Sequence, residues 1–202
     1  MLFAALAEHG PAPVSGQMLA FASGVNRVAE MRGFSRLRMP FGVSAAELSE
    51  RALQFLLTLD MPLLVDSGAF SEVQFSDAGC HVVQPISDAE WHRRLRIYKR
   101  LGTVLKADAY IVAPDRVGDQ QVTLQRLGRY KADLQELAGL GATVLIPLQV
   151  GVLSHAEFYR AANDSVGFSM VPAMPMKKGA TDIDDLLTFV REVHPLNCIC
   201  LA

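Results

Sequence analysis

Three short apolar segments of this 202-residue chain each run, without a spacer, into a polar residue. The polar residues at these three positions are Asp66, Asp115 and Gln149. Short apolar segments of this kind are typical of buried strands. In parallel α/β proteins the side chains that follow the strands converge at one edge of the sheet, where helix N-termini add positive dipole ends. The pattern therefore predicts an active-site mouth built from two carboxylates and an amide.

The element Asp66-Ser67-Gly68 places a carboxylate, a hydroxyl and a glycine at the end of the first of these segments. A carboxylate at a cleft floor suits a general acid/base or a nucleophile. Gly68 lets the backbone approach a planar ligand, because it has no side chain. The alternative is that Asp66 caps the following turn through its own backbone amides. We favour the functional interpretation.

The other two segment ends carry Asp115 and Gln149. We expect Asp115 to contact a ligand, and Asp119, four residues later, to be the N-cap of the next helix. Gln149 carries both a donor and an acceptor, which suits the edge of a heterocycle. The alternative for Gln149 is a buried amide that ties two loops together.

Composition limits the class of protein. With 50% hydrophobic and 20% charged residues, we expect one domain spanning residues 1–202. The net charge of −2 argues against a generally basic nucleic-acid coat. Three cysteines at odd spacing and no signal-peptide pattern predict a cytoplasmic protein without disulfides. Cys198 and Cys200 are expected to be buried thiols rather than zinc ligands. No apolar run reaches the roughly 18 to 20 residues of a membrane span.

Helical patterns alternate with the apolar segments. The capping boxes Ser44-x-x-Glu47 and Ser87-x-x-Glu90 each predict the beginning of a helix. The predicted helices cover residues 44–60, 87–105, 119–140, 154–162 and 181–194. The predicted strands cover residues 2–6, 63–66, 109–115, 144–148, 165–170 and 197–202.

Six strands that alternate with helices imply an α/β fold with parallel pairing and right-handed crossovers. A complete (β/α)₈ barrel usually takes about 250 residues and eight strands. The chain supplies about six βα units, so we expect either a doubly wound sheet or an incomplete, TIM-barrel-like (β/α)₈ domain that lacks its C-terminal part. A last strand without a covering helix also favours a homodimer or a partner subunit.

Two segments offer positive charge to a polyanion. Residues 171–179 are predicted to form a loop that presents apolar groups to a flat base, and Lys177 and Lys178 to phosphates. An ordinary surface loop is the alternative. A basic run on the predicted helix 87–105 contains Arg93 and Arg96, which either contact nucleic acid or form a solvated face.

The motifs at the segment ends resemble those of the tRNA-guanine transglycosylase superfamily, including its relatives that insert 7-deazaguanines into DNA. The resemblance rests on Asp-Ser-Gly-Ala-Phe beginning at Asp66, on Asp115, and on Gln149-Val-Gly151, in the order and spacing of the family. It extends from about Leu63 to the end of the chain. Members are (β/α)₈ barrels that exchange a guanine base, so the resemblance implies a pentosyltransferase of the queuosine or DNA-modification type.

The resemblance also implies roles for single residues. Asp66 would be the catalytic acid/base that manages protons on the exchanged base. Asp115 would accept hydrogen bonds from the N1 and N2 edge of guanine, and Gln149 would address its O6 side. The substrate-binding residues implied in this way are Ser67, Gly68, Asp115, Gln149 and Gly151.

Several positions depart from the family pattern. Ala69 replaces the usual second glycine, and Ser71 replaces a glutamine, which favours the divergent branch that is either DNA-modifying or uncharacterised. The nucleophilic aspartate and the zinc ligands of the family lie beyond the strand that ends at Ala202. We therefore expect no metal and no other cofactor in this chain, and the covalent nucleophile has no assignment.

Three functions follow as hypotheses. The first is exchange of guanine in tRNA or DNA for a 7-deazaguanine base. Displacing a purine from C1′ passes through an oxocarbenium-like state, and the target base must first leave its stack. The second is a non-catalytic base-binding subunit that pairs with an active transglycosylase. The third is a barrel hydrolase or lyase that acts on a small metabolite.

Overall fold

The computed structural model describes residues 20–76, 79–175 and 182–201. Within these ranges one sheet consists of six parallel strands. They are β1 (Phe41–Ser44), β2 (Leu63–Asp66), β5 (Ala109–Val112), β6 (Thr143–Pro147), β7 (Val171–Pro175) and β8 (Ile199–Leu201). The strands β3 (Val73–Ser76) and β4 (Gly79–Val82) form a separate antiparallel hairpin between β2 and β5 in the chain.

The spatial order of the six strands follows the chain order, so each new strand joins the sheet on the same side. The sheet curls into a half-barrel. A doubly wound sheet reverses its strand order at a switch point, and the described sheet has no such reversal. The prediction of an α/β fold with parallel strands is therefore confirmed, and the doubly wound alternative is wrong for the described residues.

The described residues contain seven α-helices that alternate with the strands. They are α1 (Val28–Arg36), α2 (Glu50–Leu56), α3 (Asp88–Leu105), α4 (Gln120–Arg129), α5 (Lys131–Gly139), α6 (His155–Val166) and α7 (Ile183–Val193). Helices and strands share one continuous core of buried apolar residues. A smaller cluster of Leu64, Val112, Leu145 and Ala173 comes from the neighbouring strands β2, β5, β6 and β7. Because these strands are short and buried on both faces, their polar residues lie at the strand ends.

The predicted helix at residues 44–60 is wrong at its beginning. Ser44 is the last residue of β1, and Ser49 caps α2 by accepting a hydrogen bond from the Ala52 amide. The Glu47 carboxylate accepts a hydrogen bond from Asn26 instead of closing a capping box. The sequence does not indicate β1 because four residues give too little periodicity, and the strand forms by pairing with β2.

The strand predicted at residues 165–170 is also wrong. Helix α6 continues to Val166 and ends at Gly167, whose φ of 81° is left-handed. The strand is β7 instead, in a segment that the pattern assigns to a loop. Pro172 and Pro175 explain the error, because proline lacks the N–H that a central strand donates.

The predicted helix starts at Ser87 and Asp119 are confirmed. Ser87 Oγ accepts from the Glu90 amide, and Asp119 Oδ1 accepts from the Val122 amide at 2.9 Å. The segment 119–140 forms α4 and α5 rather than one helix.

Two predictions concern residues outside the described ranges, namely the strand at 2–6 and the pair Lys177 and Lys178. Within those ranges, no helix is both long and apolar enough to cross a bilayer.

Candidate active site at the strand ends

Ser67, Asp115 and Gln149 meet in one hydrogen-bonded cluster beyond the ends of β2, β5 and β6. Ser67 Oγ donates to Asp115 Oδ1 at 2.7 Å, and Gln149 Nε2 donates to Asp115 Oδ2 at 2.9 Å. The three residues are only 1%, 3% and 5% exposed, respectively. Residues that lie 48 and 34 positions from Asp115 in the chain thus converge on its carboxylate. The predicted convergence is observed for Asp115 and Gln149, with Ser67 as the third member of the cluster, and the substrate-binding roles stay predictions.

Backbone amides fix the orientation of the two side chains that donate to Asp115. The Ala69 amide donates to Ser67 Oγ at 3.1 Å, which leaves the hydroxyl proton for Asp115. The Gly118 amide donates to Gln149 Oε1 at 2.8 Å, which turns the NH₂ group of Gln149 toward Asp115. Two oriented donors therefore address one carboxyl group.

The side chain of Gln120, which sequence motifs did not indicate, braces the loop after β6. Gln120 Nε2 donates to the carbonyl oxygens of Gln149 and Leu153, and Gln120 Oε1 accepts from the Leu153 amide at 2.9 Å. A Cβ at Gly151 would come within 2.5 Å of Gln120 Oε1. Gly151 thus makes room for the brace.

Asp66 bonds within its own turn. Its Oδ2 accepts a hydrogen bond from the Gly68 amide at 2.9 Å, and the residue is partly buried. This is the capping arrangement that the sequence left open as an alternative. The catalytic role of Asp66 stays a prediction, and its negative charge acts on Asp115.

The environment of the cluster brings the pKa of Asp115 close to neutral pH. Burial raises the pKa of the Asp115 carboxyl from 3.8 to about 7. The hydrogen bond from Ser67 opposes this rise, the charge of Asp66 adds to it, and Arg126 opposes it. A carboxyl group whose pKa lies near the working pH is well suited to exchanging a proton or switching its hydrogen bonding.

Gly68→Ala will destabilise the protein by about 2 kcal/mol, because Gly68 has a φ of 75° and a Cβ there would lie 2.6 Å from Ala46 Cβ. Neither atom belongs to a flexible side chain, so the backbone must shift. Urea denaturation measures the effect. The control is Gly33→Ala in α1, where a Cβ meets nothing within 4 Å, and helix propensity predicts a gain of about 0.5–1 kcal/mol. Equal effects of the two substitutions would contradict the prediction.

A buried ion cluster adjoins the site and was not indicated by the sequence. Glu72 is 0% exposed and accepts from Arg126 at 2.7 and 2.5 Å, and from Arg116 at 3.3 Å. Burial alone would raise the pKa of Glu72, but the hydrogen bonds from Arg126, the Ile86 amide and Arg116 outweigh it and lower that pKa. The arginines lie 54 and 44 positions from Glu72 in the chain, so no local motif connects them.

Most of the predicted basic run is ion-paired within the protein. Arg93 bonds to Glu90 at 2.7 Å and to the Ala45 carbonyl at 2.9 Å. Other members of the run that form ion pairs are Arg94, Lys99 and Arg100. Arg96 is exposed and has no ion pair within the part of the chain that the structure describes. Contact of Arg93 and Arg96 with nucleic acid stays a prediction.

The loop after β6 also borders a cavity of about 260 Å³. Its lining includes Val150, Leu153 and His155, and on the opposite side Asp185 and Phe189 of α7. The cavity lies next to Gln149 in the chain, and neither Ser67 nor Asp115 lines it. A ligand of Asp115 therefore needs a separate opening.

The prediction that Cys198 and Cys200 are buried is wrong, because both thiols are exposed. Cys198 directly precedes β8 and Cys200 lies within it. Among the described strands, β8 is at the edge of the sheet and pairs only with β7. Among the residues that the structure places, no group of three His, Cys, Asp or Glu side chains is arranged to hold a metal ion.

No family model matches the chain, and no curated protein matches it. The resemblance to the tRNA-guanine transglycosylases consequently rests on the motifs at the strand ends.

Proposed function

We propose that this chain is a base-exchanging transglycosylase on a (β/α)₈-type barrel, which replaces guanine in tRNA or DNA with a 7-deazaguanine. One observation carries the proposal. The serine, aspartate and glutamine that the family motifs single out come from three separate loops and form one hydrogen-bonded cluster around Asp115. Strand ends converge in any parallel sheet, so the support comes from the hydrogen bonds that these motif residues make to each other.

The cluster offers the hydrogen-bonding groups that a guanine edge needs. An ionised Asp115 has a second lone pair on each oxygen, which can accept from N1–H and from the 2-amino group of guanine. Gln149 Nε2 has a second hydrogen, which can donate to O6. Because Asp115 is only 3% exposed, entry of the base requires the loop after β2 or the loop after β6 to shift.

The proposed reaction also requires extrusion of the target nucleotide and proton transfer by Asp66. The target nucleotide leaves its stack, and the bond from C1′ to the purine nitrogen breaks through an oxocarbenium-like state. Asp66 gives a proton to the departing guanine and takes one from the incoming base, whose ring nitrogen forms the new bond to C1′. The proposal assigns the covalent nucleophile to none of the described residues.

Guanine affinity will rise with pH through about 7. The ionised Asp115 accepts from N1–H, whereas the protonated form presents its own proton to that donor, and the pKa of Asp115 is about 7. Guanine stays neutral over this range. The dissociation constant will therefore increase about tenfold between pH 8 and pH 6, as measured by calorimetric titration.

The same raised pKa gives the stability of the folded state a pH dependence opposite to that of guanine affinity. The folded state binds the Asp115 proton more tightly than the unfolded chain, so this contribution to stability is full below about pH 4 and is lost as the pH rises through about 7. In Asp115→Asn both pH dependences will disappear. Persistence of the affinity profile in that variant would show that another group controls binding.

Incorporation of labelled guanine into tRNA and into duplex DNA tests the proposed activity. The proposal predicts uptake of label into one of the two polymers, and loss of that uptake in Asp66→Asn. If guanine binds and no label enters either polymer, the chain is a base-binding subunit. If guanine does not bind to the folded protein, the transglycosylase proposal is wrong.

A second candidate is a hydrolase or lyase that acts on a small metabolite, and the near-neutral Asp115 favours it. A carboxyl group with a pKa of about 7 beside a second carboxylate is typical of proton-transfer sites. Turnover of a small substrate by a protein that neither binds guanine nor takes up label would support this candidate.

A further inference from the structure

Two guanidinium groups lie over the indole ring of Trp91. The Cζ of Arg94 is 5.1 Å from the centroid of the indole ring, and the Cζ of Arg126 is 5.0 Å from it. Trp91 is 1% exposed and is the only tryptophan in the chain. Two like charges on one ring are stabilised by the negative ring faces, and more strongly when water is excluded. We call Trp91, Arg94 and Arg126 the arginine–indole stack.

Each arginine of the stack also holds the main chain of one site residue. Arg94 Nη1 donates to the Ser67 carbonyl at 2.6 Å. Arg126 Nη1 donates to the Asp115 carbonyl. Ser67 and Asp115 are the two residues whose side chains bond to each other. They are therefore joined twice, once through their side chains and once through the stack.

Two glutamates accept hydrogen bonds from the arginines of the stack. Arg94 Nε donates to Glu90 Oε1 at 2.8 Å, and Arg126 donates to both oxygens of Glu72. Glu90 lies on α3 with Trp91, whereas Glu72 precedes the hairpin. The stack thus ties α3, α4 and the hairpin region to the loops after β2 and β5.

We propose that Trp91 is a positioning residue, which sets the separation of the Ser67 and Asp115 loops by holding against one ring the two arginines that bond to them. The inference rests on the proposed function, because it assigns the spacing to the base site. A phenyl ring at this position keeps an aromatic face for both cations. A leucine keeps apolar bulk and removes that face, so the guanidinium groups repel each other and separate.

Asp115 provides a readout in the ligand-free protein. Ser67, Asp66 and Arg126 act on its charge, and Gln149 Nε2 also donates to its Oδ2. Since Arg126 lowers the pKa of Asp115, displacing it will raise that pKa above about 7. The pKa is measured from the ¹³C shift of the labelled carboxyl group. A role limited to stability leaves it unchanged at temperatures where the protein is folded.

The test compares Trp91→Leu, Trp91→Phe and the control Phe158→Leu, which replaces a fully buried ring of α6 outside the stack. We expect Trp91→Leu to raise the pKa of Asp115 by at least about half a unit and to weaken guanine binding at least about 10-fold. Trp91→Phe will retain nearly wild-type values, and so will Phe158→Leu. An unchanged pKa of Asp115 in folded Trp91→Leu would overturn the inference.

The wild-type protein gives an independent test should Trp91→Leu fail to fold. Its single tryptophan will change fluorescence as Asp115 ionises, with a midpoint near pH 7, and Asp115→Asn will abolish this change. Tyr130 and His92 also lie close to this region, so His92→Gln serves as a control that keeps the transition. A flat wild-type profile would overturn the inference. These readouts need no guanine, so they decide the role of Trp91 even if the transglycosylase proposal fails.

Discussion

Asp115→Asn will weaken guanine binding by at least about 100-fold. The substitution keeps the size of the side chain and removes the ionised acceptor that pairs with N1–H and the 2-amino group. Hydrogen bonds to charged groups contribute about 1.5–3 kcal/mol each, and two of them correspond to a factor of 100 or more. Calorimetric titration at pH 8, where the wild-type carboxyl is mostly ionised, measures the loss.

The matched control for this experiment is Asp119→Asn. Asp119 lies four residues from Asp115 and caps α4 through the Val122 amide, and asparagine is an equally good N-cap. We expect its affinity for guanine to equal that of the wild type. If Asp115→Asn binds guanine as well as the control does, Asp115 does not read the base.

Glu72→Gln will have the largest effect on stability. Glu72 is fully buried and is paired with Arg126 and Arg116. Removing one partner of a buried pair leaves uncompensated charge, which costs about 3–5 kcal/mol. For a chain of this length the loss corresponds to a fall in Tm of roughly 6–20 °C. Calorimetric melting and urea denaturation measure it.

Glu50→Gln is the control for Glu72→Gln, because Glu50 forms an exposed pair with Arg100 at 2.9 Å. Exposed pairs contribute little to stability, so we expect an almost unchanged Tm. Comparable effects of the two substitutions would mean that burial does not distinguish the pairs. Glu72→Gln will also weaken guanine binding, since Arg126 then no longer has a fixed position beside Asp115.

The sequence predicted those parts of the site that depend on local pattern. An apolar segment followed directly by a polar residue located Asp66, Asp115 and Gln149, and the parallel α/β pattern predicted that such ends converge. The alternatives left open for Asp66 and Gln149 also describe real contacts, since Asp66 caps its own turn and Gln149 ties two loops. These contacts and a role in binding are compatible.

The buried ion pairs that support the site depend on contacts between residues far apart in the chain, so the sequence did not predict them. Glu72 follows the Asp66 motif closely, but its importance comes from Arg126, 54 residues later. Arg94 belongs to a run that reads as a charged surface, although it shares the buried face of α3 with Trp91 and Tyr98. The position of Arg94 on the apolar face of a predicted helix was the feature of the sequence that could have indicated its burial.

The errors in the fold have a similar origin. Ser44 and Ser49 both precede a helical pattern at a suitable spacing, and only pairing with β2 assigns Ser44 to a strand. Likewise, the two prolines of β7 favour a loop until the neighbouring strand β6 is taken into account. At both positions, pairing with a neighbouring strand determines the secondary structure against the local propensity.

Titration of guanine, hypoxanthine and adenine into the wild-type protein at pH 8 tests the central claim most directly. Hypoxanthine lacks the 2-amino group, and adenine lacks both N1–H and O6. If the Ser67, Asp115 and Gln149 cluster reads a guanine edge, guanine will bind most tightly, hypoxanthine about 10-fold more weakly, and adenine not at all. Equal binding of the three bases, or no binding of guanine to the folded protein, would contradict the account.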